Sequence, residues 1–347
     1  MKADAKKKKE IKDVTAKMII DSQVLHTGTD DFFDVSNEKI IISPRRFTDI
    51  ADDDKEISAN AFKKLSTLLK NNQVYVAPFC DACLIYRHLM NSNELGNTIL
   101  KHKNLFWYTD GYLQSTIYDS CVQTYSLPSN FVAEFSGQIN SPAEPNYTES
   151  RFICMMNNHR NHRDQTLLNL HHRNLVHKGN VVYHEKTFTV PNVMEQDLFE
   201  DTREKEEETY KGHITDTPIY NGCMIELVSE AFIDDLIFIT EKAVRPMAVG
   251  IPSIYVAGYK YVQALRDLGF KTHDDVIDHS YDNEQDDWVR INKACMELKA
   301  VLDTHTPQQF FQATHKDTVH NQMLLKEKYL NKEPDAFLKS WINDVGY

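Results

Sequence analysis

No stretch of the 347 residues approaches the ~18 consecutive apolar residues that a membrane-spanning helix requires. No apolar segment follows the lysine-rich start at residues 1–10, so no secretory leader is expected. Without secretion, the glycosylation sequon Asn146-Tyr147-Thr148 carries no meaning. The six cysteines form no dense framework, which fits a reducing compartment. The cytoplasm is the expected location, a host's cytoplasm if the chain is phage-encoded. Cys80 and Cys83 form a lone CxxC with no second pair, and two buried thiols explain them better than zinc. No Gly-x-x-x-x-Gly-Lys-Ser/Thr loop occurs, which ranks a nucleotide-dependent kinase or ATPase last. Positive charge is also short. The net of −12 argues against broad non-specific binding to nucleic acid. It is unevenly spread: residues 1–150 carry 17 basic and 20 acidic residues, a net of −3, which leaves −9 for the remainder. An anionic partner would meet the first half more easily.

What is present is alternation. In the first half, Ile40-Ile41-Ile42, Val74-Tyr75-Val76 and Leu105-Phe106-Trp107-Tyr108 read as strands. Apolar residues at helical spacing occur between them, at Phe62, Leu65, Leu68 and Leu69. Residues 1–17 read as a solvated basic tail. Asp81 and Asp110 each follow a predicted strand end, where open α/β sheets face their ligands. Either could act as a base, and either could equally cap a helix or turn.

The second half gives a cleaner unit. Phe152 to Met156 reads as a buried strand and is followed by a basic loop containing His159, Arg160, His162 and Arg163. A helix then runs to Gly179, and Val181-Val182-Tyr183 forms the next strand. A helix start offers unpaired N–H groups and the positive end of a dipole, so Arg160 and Arg163 beside it could cradle phosphate. A solvated basic turn is the plain alternative. No carboxylate lies at ligand spacing to these histidines, so no metal is expected. Residues 193–213 are acidic and read as a solvated helix or loop. Then comes Glu230-Ala231-Phe232, followed by Ile239-Thr240-Glu241-Lys242 and by Pro246 and Gly250-Ile251-Pro252. Thr240 is placed to N-cap a helix through Met247. Lys242 would oppose the dipole in the first turn, which an anion nearby would relieve.

This run resembles the donor-binding signature of the fucosyltransferase-like GT-B glycosyltransferases, in a phage and bacterial branch. The resemblance covers roughly residues 150–300 and includes Leu265-Arg266-Asp267-Leu268-Gly269 and Asp278-His279-Ser280-Tyr281-Asp282. It implies an α/β fold, GT-B-like, with two Rossmann-like domains facing a cleft. The implied domains are an acceptor-side domain at 1–148, a nucleotide-sugar domain at 149–305 and a helical tail at 306–347 that packs on the first domain. It implies that Glu241 binds donor hydroxyls and Lys242 the diphosphate. Arg160 or Arg163 would supply a second cation, Glu230 would sit beside the donor, and Thr240 would open the helix. Arg245 and Lys271 are weaker cation candidates. No cofactor or metal is implied; the nucleotide sugar is a substrate. Position 231 is alanine where that family carries asparagine, so neither sugar nor carrier is named. The acceptor stays open between a glycan and a hydroxymethylated base of phage DNA. A non-catalytic Rossmann-like binding or structural module is the reading from a different class.

Overall fold

The computed structural model describes residues 33–36 and 39–42, scattered positions between 66 and 139, and then 152–156, 159–183, 186–188, 220 and 222–330. Asp81, Asp110, the Cys80–Cys83 pair, the basic tail 1–17 and the acidic run 193–213 lie outside the described residues. The chain divides into two compact units, Met1–Pro128 with Lys332–Tyr347, and Ser129–Asn331.

The fold is mixed α/β, and each unit has its own five-stranded sheet. In the first unit these strands are β1 (Phe33–Ser36), β2 (Lys39–Ile42), β3 (Gln73–Val76), β4 (Leu105–Thr109) and β6 (Cys121–Gln123). They lie in the order β1-β2-β3-β4-β6, with β1 antiparallel and the other four parallel. A two-residue strand, β5 (Tyr112–Leu113), follows β4. Trp107 on β4 is buried edge-on against Tyr86, with centroids 5.4 Å apart. Leu69, Leu100, Leu105 and Cys121 are buried with it.

The second unit is built from β7 (Phe152–Met156), α1 (Asn161–His172), β8 (Gly179–Tyr183), β9 (Lys186–Phe188), β10 (Ile225–Ser229), β11 (Leu236–Ile237), α2 (Glu241–Val249), β12 (Ser253–Val256), α3 (Tyr261–Asp267), α4 (Asp287–Thr304) and α5 (Pro307–Leu324). Its sheet order is β12-β10-β7-β8-β9, and only β9 is antiparallel. Every residue of β7 and β10 is buried, as a parallel sheet covered on both faces demands. Helix α4 packs on α1 and β12, and α5 packs on α2. Gly179 starts β8 because nothing larger fits: a Cβ there would lie 2.3 Å from the Phe152 ring.

A charged cluster is buried in this unit together with its partners. Glu226 on β10 is buried and pairs with Arg245 of α2 at 2.6 Å. Tyr220 donates to Glu226 Oε2 at 2.8 Å and accepts from Arg245 Nε at 2.5 Å. Every charge is therefore met, which burial requires. Arg245, a weaker cation candidate, is spent here and makes no phosphate contact.

Of the segment 306–347 expected as a tail on the first domain, the helix α5 belongs to the second unit, while Lys332–Tyr347 groups with the first. Asn321 of α5 accepts from the Lys271 N–H and donates to the Lys271 carbonyl, both at 2.8 Å. Gln322 donates to the Ala248 carbonyl at 2.9 Å, satisfying one of the open acceptors at the end of α2. Among the described residues no helix is long and apolar enough to cross a membrane.

Candidate functional site

Chain order and strand order part company between β7 and β10. From β7 the chain steps through α1 to β8 on one side, and β10 lies on the other side of β7. Open α/β sheets bind ligands at such a switch, outside the carboxyl ends of the strands. Arg160 follows β7 there, Glu230 follows β10, and Thr240, Glu241 and Lys242 begin α2.

Local chemistry sets each piece. Thr240 is extended and its hydroxyl accepts from the Lys242 N–H at 3.2 Å, an N-cap. Gly250 closes α2 in the left-handed region at φ 84°, where glycine is unstrained. Arg160 precedes α1, whose start no side chain caps. Its guanidinium instead crosses to the β10 loop, donating from Nη1 to the Ala231 carbonyl at 2.7 Å and lying 4.8 Å from the centroid of the Phe232 ring. That holds the arginine in place while its other N–H groups stay available for an acceptor.

Glu230 plays a different part from the one expected. It is fully buried, and its carboxylate is saturated. Oε1 accepts from the Thr240 N–H at 3.1 Å and from the Tyr261 hydroxyl; Oε2 accepts from the Thr240 hydroxyl at 2.6 Å and the Ala231 N–H at 3.0 Å. Glu230 therefore ties β10, the start of α2 and α3 together, and leaves no lone pair facing a ligand. Charge-assisted bonds of this kind are roughly twice as strong as neutral ones.

Arg163 also differs. It sits in the first turn of α1 at 2% exposure, and burial, then the neighbouring Arg160, lowers its pKa from the usual value. Glu230 and Glu241 are close enough to oppose that shift. Arg163 acts on the site through its field, and Arg160 is the arginine on the accessible side.

Lys242 and Glu241 are about three-quarters covered and pair directly, Nζ to Oε1 at 2.6 Å. Burial pushes the Glu241 pKa up, but Lys242 outweighs it and the carboxyl stays below its ordinary value. Glu241 is thus ionised at neutral pH.

His162 completes the floor. Its Nε2 lies 3.0 Å from the Glu230 carbonyl oxygen, which can only accept, so Nε2 carries the proton. Burial, with Arg163 and Arg160 nearby, lowers its pKa from 6.5 to about 4, and the ring is neutral. Tyr261 and Arg290 were not legible as contributors. Arg290 donates to the Ala257 carbonyl at 2.8 Å and to the Ile233 carbonyl at 2.5 Å, pinning the loops after β12 and β10. Their partners lie 31 and 57 residues away in sequence, and no local pattern announces them.

Among the described residues no group of three His, Cys, Asp or Glu is placed to hold a metal ion. A separate open groove, near Arg266, Asp278, Glu297 and His305, shares no residue with this constellation. Comparison of the chain with protein-family models, curated proteins and solved structures finds no match.

Proposed function

We propose that the second unit binds a nucleotide sugar and that the protein is a glycosyltransferase of GT-B type. The observation that carries this is that Arg160 after β7 bonds the Ala231 carbonyl, and Glu230 joins Ala231 to Thr240, which opens the helix carrying Glu241 and Lys242. The arrangement suits a nucleoside diphosphate: a fixed arginine fork for the phosphates, a lysine beside it and a carboxylate for hydroxyls. When the glycosidic bond breaks, its electron pair goes to the diphosphate oxygen. Arg160, Lys242, the field of Arg163 and the starts of α1 and α2 would stabilise that charge without reorganising. In this reading the first unit carries the acceptor and its base, with Asp81 and Asp110 as candidates. The acceptor hydroxyl belongs to a glycan or to a hydroxymethylated base, which would have to be reached in the groove or flipped out.

The test is a thermal-shift panel of UDP, GDP, CDP, ADP and their common sugars, on the wild type and on Lys242→Ala. One nucleotide should raise the melting temperature of the wild type and lose most of that effect in the variant. No shift with any member refutes the reading. Transfer of labelled sugar to hydroxymethylated DNA, and not to plain DNA, would select that acceptor over a glycan.

A further inference from the structure

Helix α5 grips the loop that follows α3. Lys328, just past α5, donates to the Leu268 carbonyl at 2.8 Å, His320 donates from Nε2 to the Gly269 carbonyl at 3.0 Å, and Asn321 brackets Lys271. Next along, the Thr318 hydroxyl lies 3.2 Å from His273 Nε2. His273 is buried and sits in the left-handed region at φ 61°, which a residue with a Cβ keeps only where its surroundings hold it. His279, also buried, closes the same loop. Its Nε2 donates to the Thr272 carbonyl at 2.7 Å, so Nδ1 is the acceptor and takes the Tyr281 hydroxyl at 2.8 Å. Tyr281 in turn accepts from the Tyr255 N–H of the edge strand β12 at 3.0 Å.

These surroundings suit neutral rings. A proton on His279 Nδ1 would set one donor against another, the Tyr281 hydroxyl. Burial lowers both pKa values, that of His273 from 6.5 to about 4, and a charge on His279 adds to the cost on His273. Asp274 favours a proton on both rings, but it is paired with Arg266 at 2.6 Å, and Arg266 disfavours one on His279. Asp278 favours the proton on His279, and Glu297 of α4 and His305 line the same groove as that ring; α5 offers His273 only the neutral Thr318. Burial outweighs the carboxylates. We propose that His273 and His279 form an acid-sensitive latch: at neutral pH the loop between them holds α5, and with both rings protonated it lets α5 go. The chain leaves the second unit at Asn331, shortly beyond α5, so the latch governs how firmly this unit keeps its C-terminal end. Neither histidine takes part in the constellation around Arg160 and Lys242, and the latch does not depend on the nucleotide-sugar reading.

An open loop puts both rings in water, where the open form binds protons that the closed form refuses. From pH 7.5 to 5.5 His273 alone should raise the open fraction about tenfold, and His279 shifts it further the same way. Amide hydrogen exchange on the intact protein, corrected for the intrinsic pH dependence of exchange, reads this fraction. Protection of α5 should fall at least about tenfold over that range, and by more than the protection of β7. In the double variant His273→Asn with His279→Gln, most of that fall should disappear. Asparagine tolerates the left-handed backbone, and the glutamine amide can donate to Thr272 and accept from Tyr281, yet neither gains a proton. If the double variant melts early, exchange of the imidazole C2 hydrogens in wild type gives the titration of each ring without any substitution. A His273 midpoint at or above its ordinary 6.5 overturns the latch. So does a wild-type α5 whose protection falls no more than that of β7, or a double variant that loses protection as steeply as wild type.

Discussion

Acid should loosen the loops around Arg160 and Glu230 before it unfolds the rest of the second unit, and His162 sets the scale. In the folded chain burial holds its pKa at about 4 against an ordinary 6.5. The sign follows from proton counting: between these values the unfolded chain binds the proton and the folded chain does not. The stability that neutral His162 contributes is therefore intact above about pH 6.5 and is lost as pH falls toward 4. At pH 5 the difference in protonation amounts to about 2 kcal/mol, and it approaches about 3 kcal/mol below pH 4. Urea unfolding followed by tyrosine and tryptophan fluorescence at pH 8, 6.5, 5.5 and 5 would measure the slope. Glu-to-Gln changes cannot separate this from carboxylate effects, but His162→Gln can. Its amide still donates to the Glu230 carbonyl and carries no proton to gain. The variant should lose about 2 kcal/mol less than wild type between pH 8 and pH 5. Parallel pH profiles of variant and wild type would refute the assignment of a buried, neutral His162. Nucleotide binding should weaken over the same window, because the ring supports the loop that fixes Arg160.

Two further outcomes follow from the packing. Arg245→Ala leaves Glu226 buried without its main partner and should cost about 3–5 kcal/mol in urea unfolding; Arg245→Met with Glu226→Leu should recover most of that loss. Gly179→Ala drives a methyl into the Phe152 ring, so a loss of about 1–3 kcal/mol is expected, and Phe152→Leu in the same chain should restore part of it. An unchanged midpoint in either single variant would show that the strand or helix yields where close packing says it cannot.

The sequence by itself determined the elements that depend on near neighbours. Apolar runs such as Phe152–Met156 became strands, because a fully buried parallel strand needs nothing but apolar side chains along its length. Thr240 capped α2 and Gly250 closed it, because a cap is made within about three residues and a left-handed turn within one. The basic loop after β7 and the Thr-Glu-Lys start of α2 were also visible, as lone motifs at a strand end and a helix start. Their residue types, not their distances, were what could be read.

Tertiary structure alone decided what each charge does. Arg160 and Arg163 are three residues apart in the sequence and look interchangeable there; the start of α1 turns one toward Ala231 and Phe232 and buries the other. Arg245 was a candidate cation for phosphate until Glu226, 19 residues earlier, claimed it inside the core. Glu230 looked like a donor contact until Tyr261 and Thr240 filled its carboxylate. Helix α5 belongs with the second unit because Asn321 finds Lys271, 50 residues back. The reason is common to all four. A local sequence states which groups carry charge or donors, but burial and pairing are set by strand order, and strand order brings together residues that no window of the sequence contains.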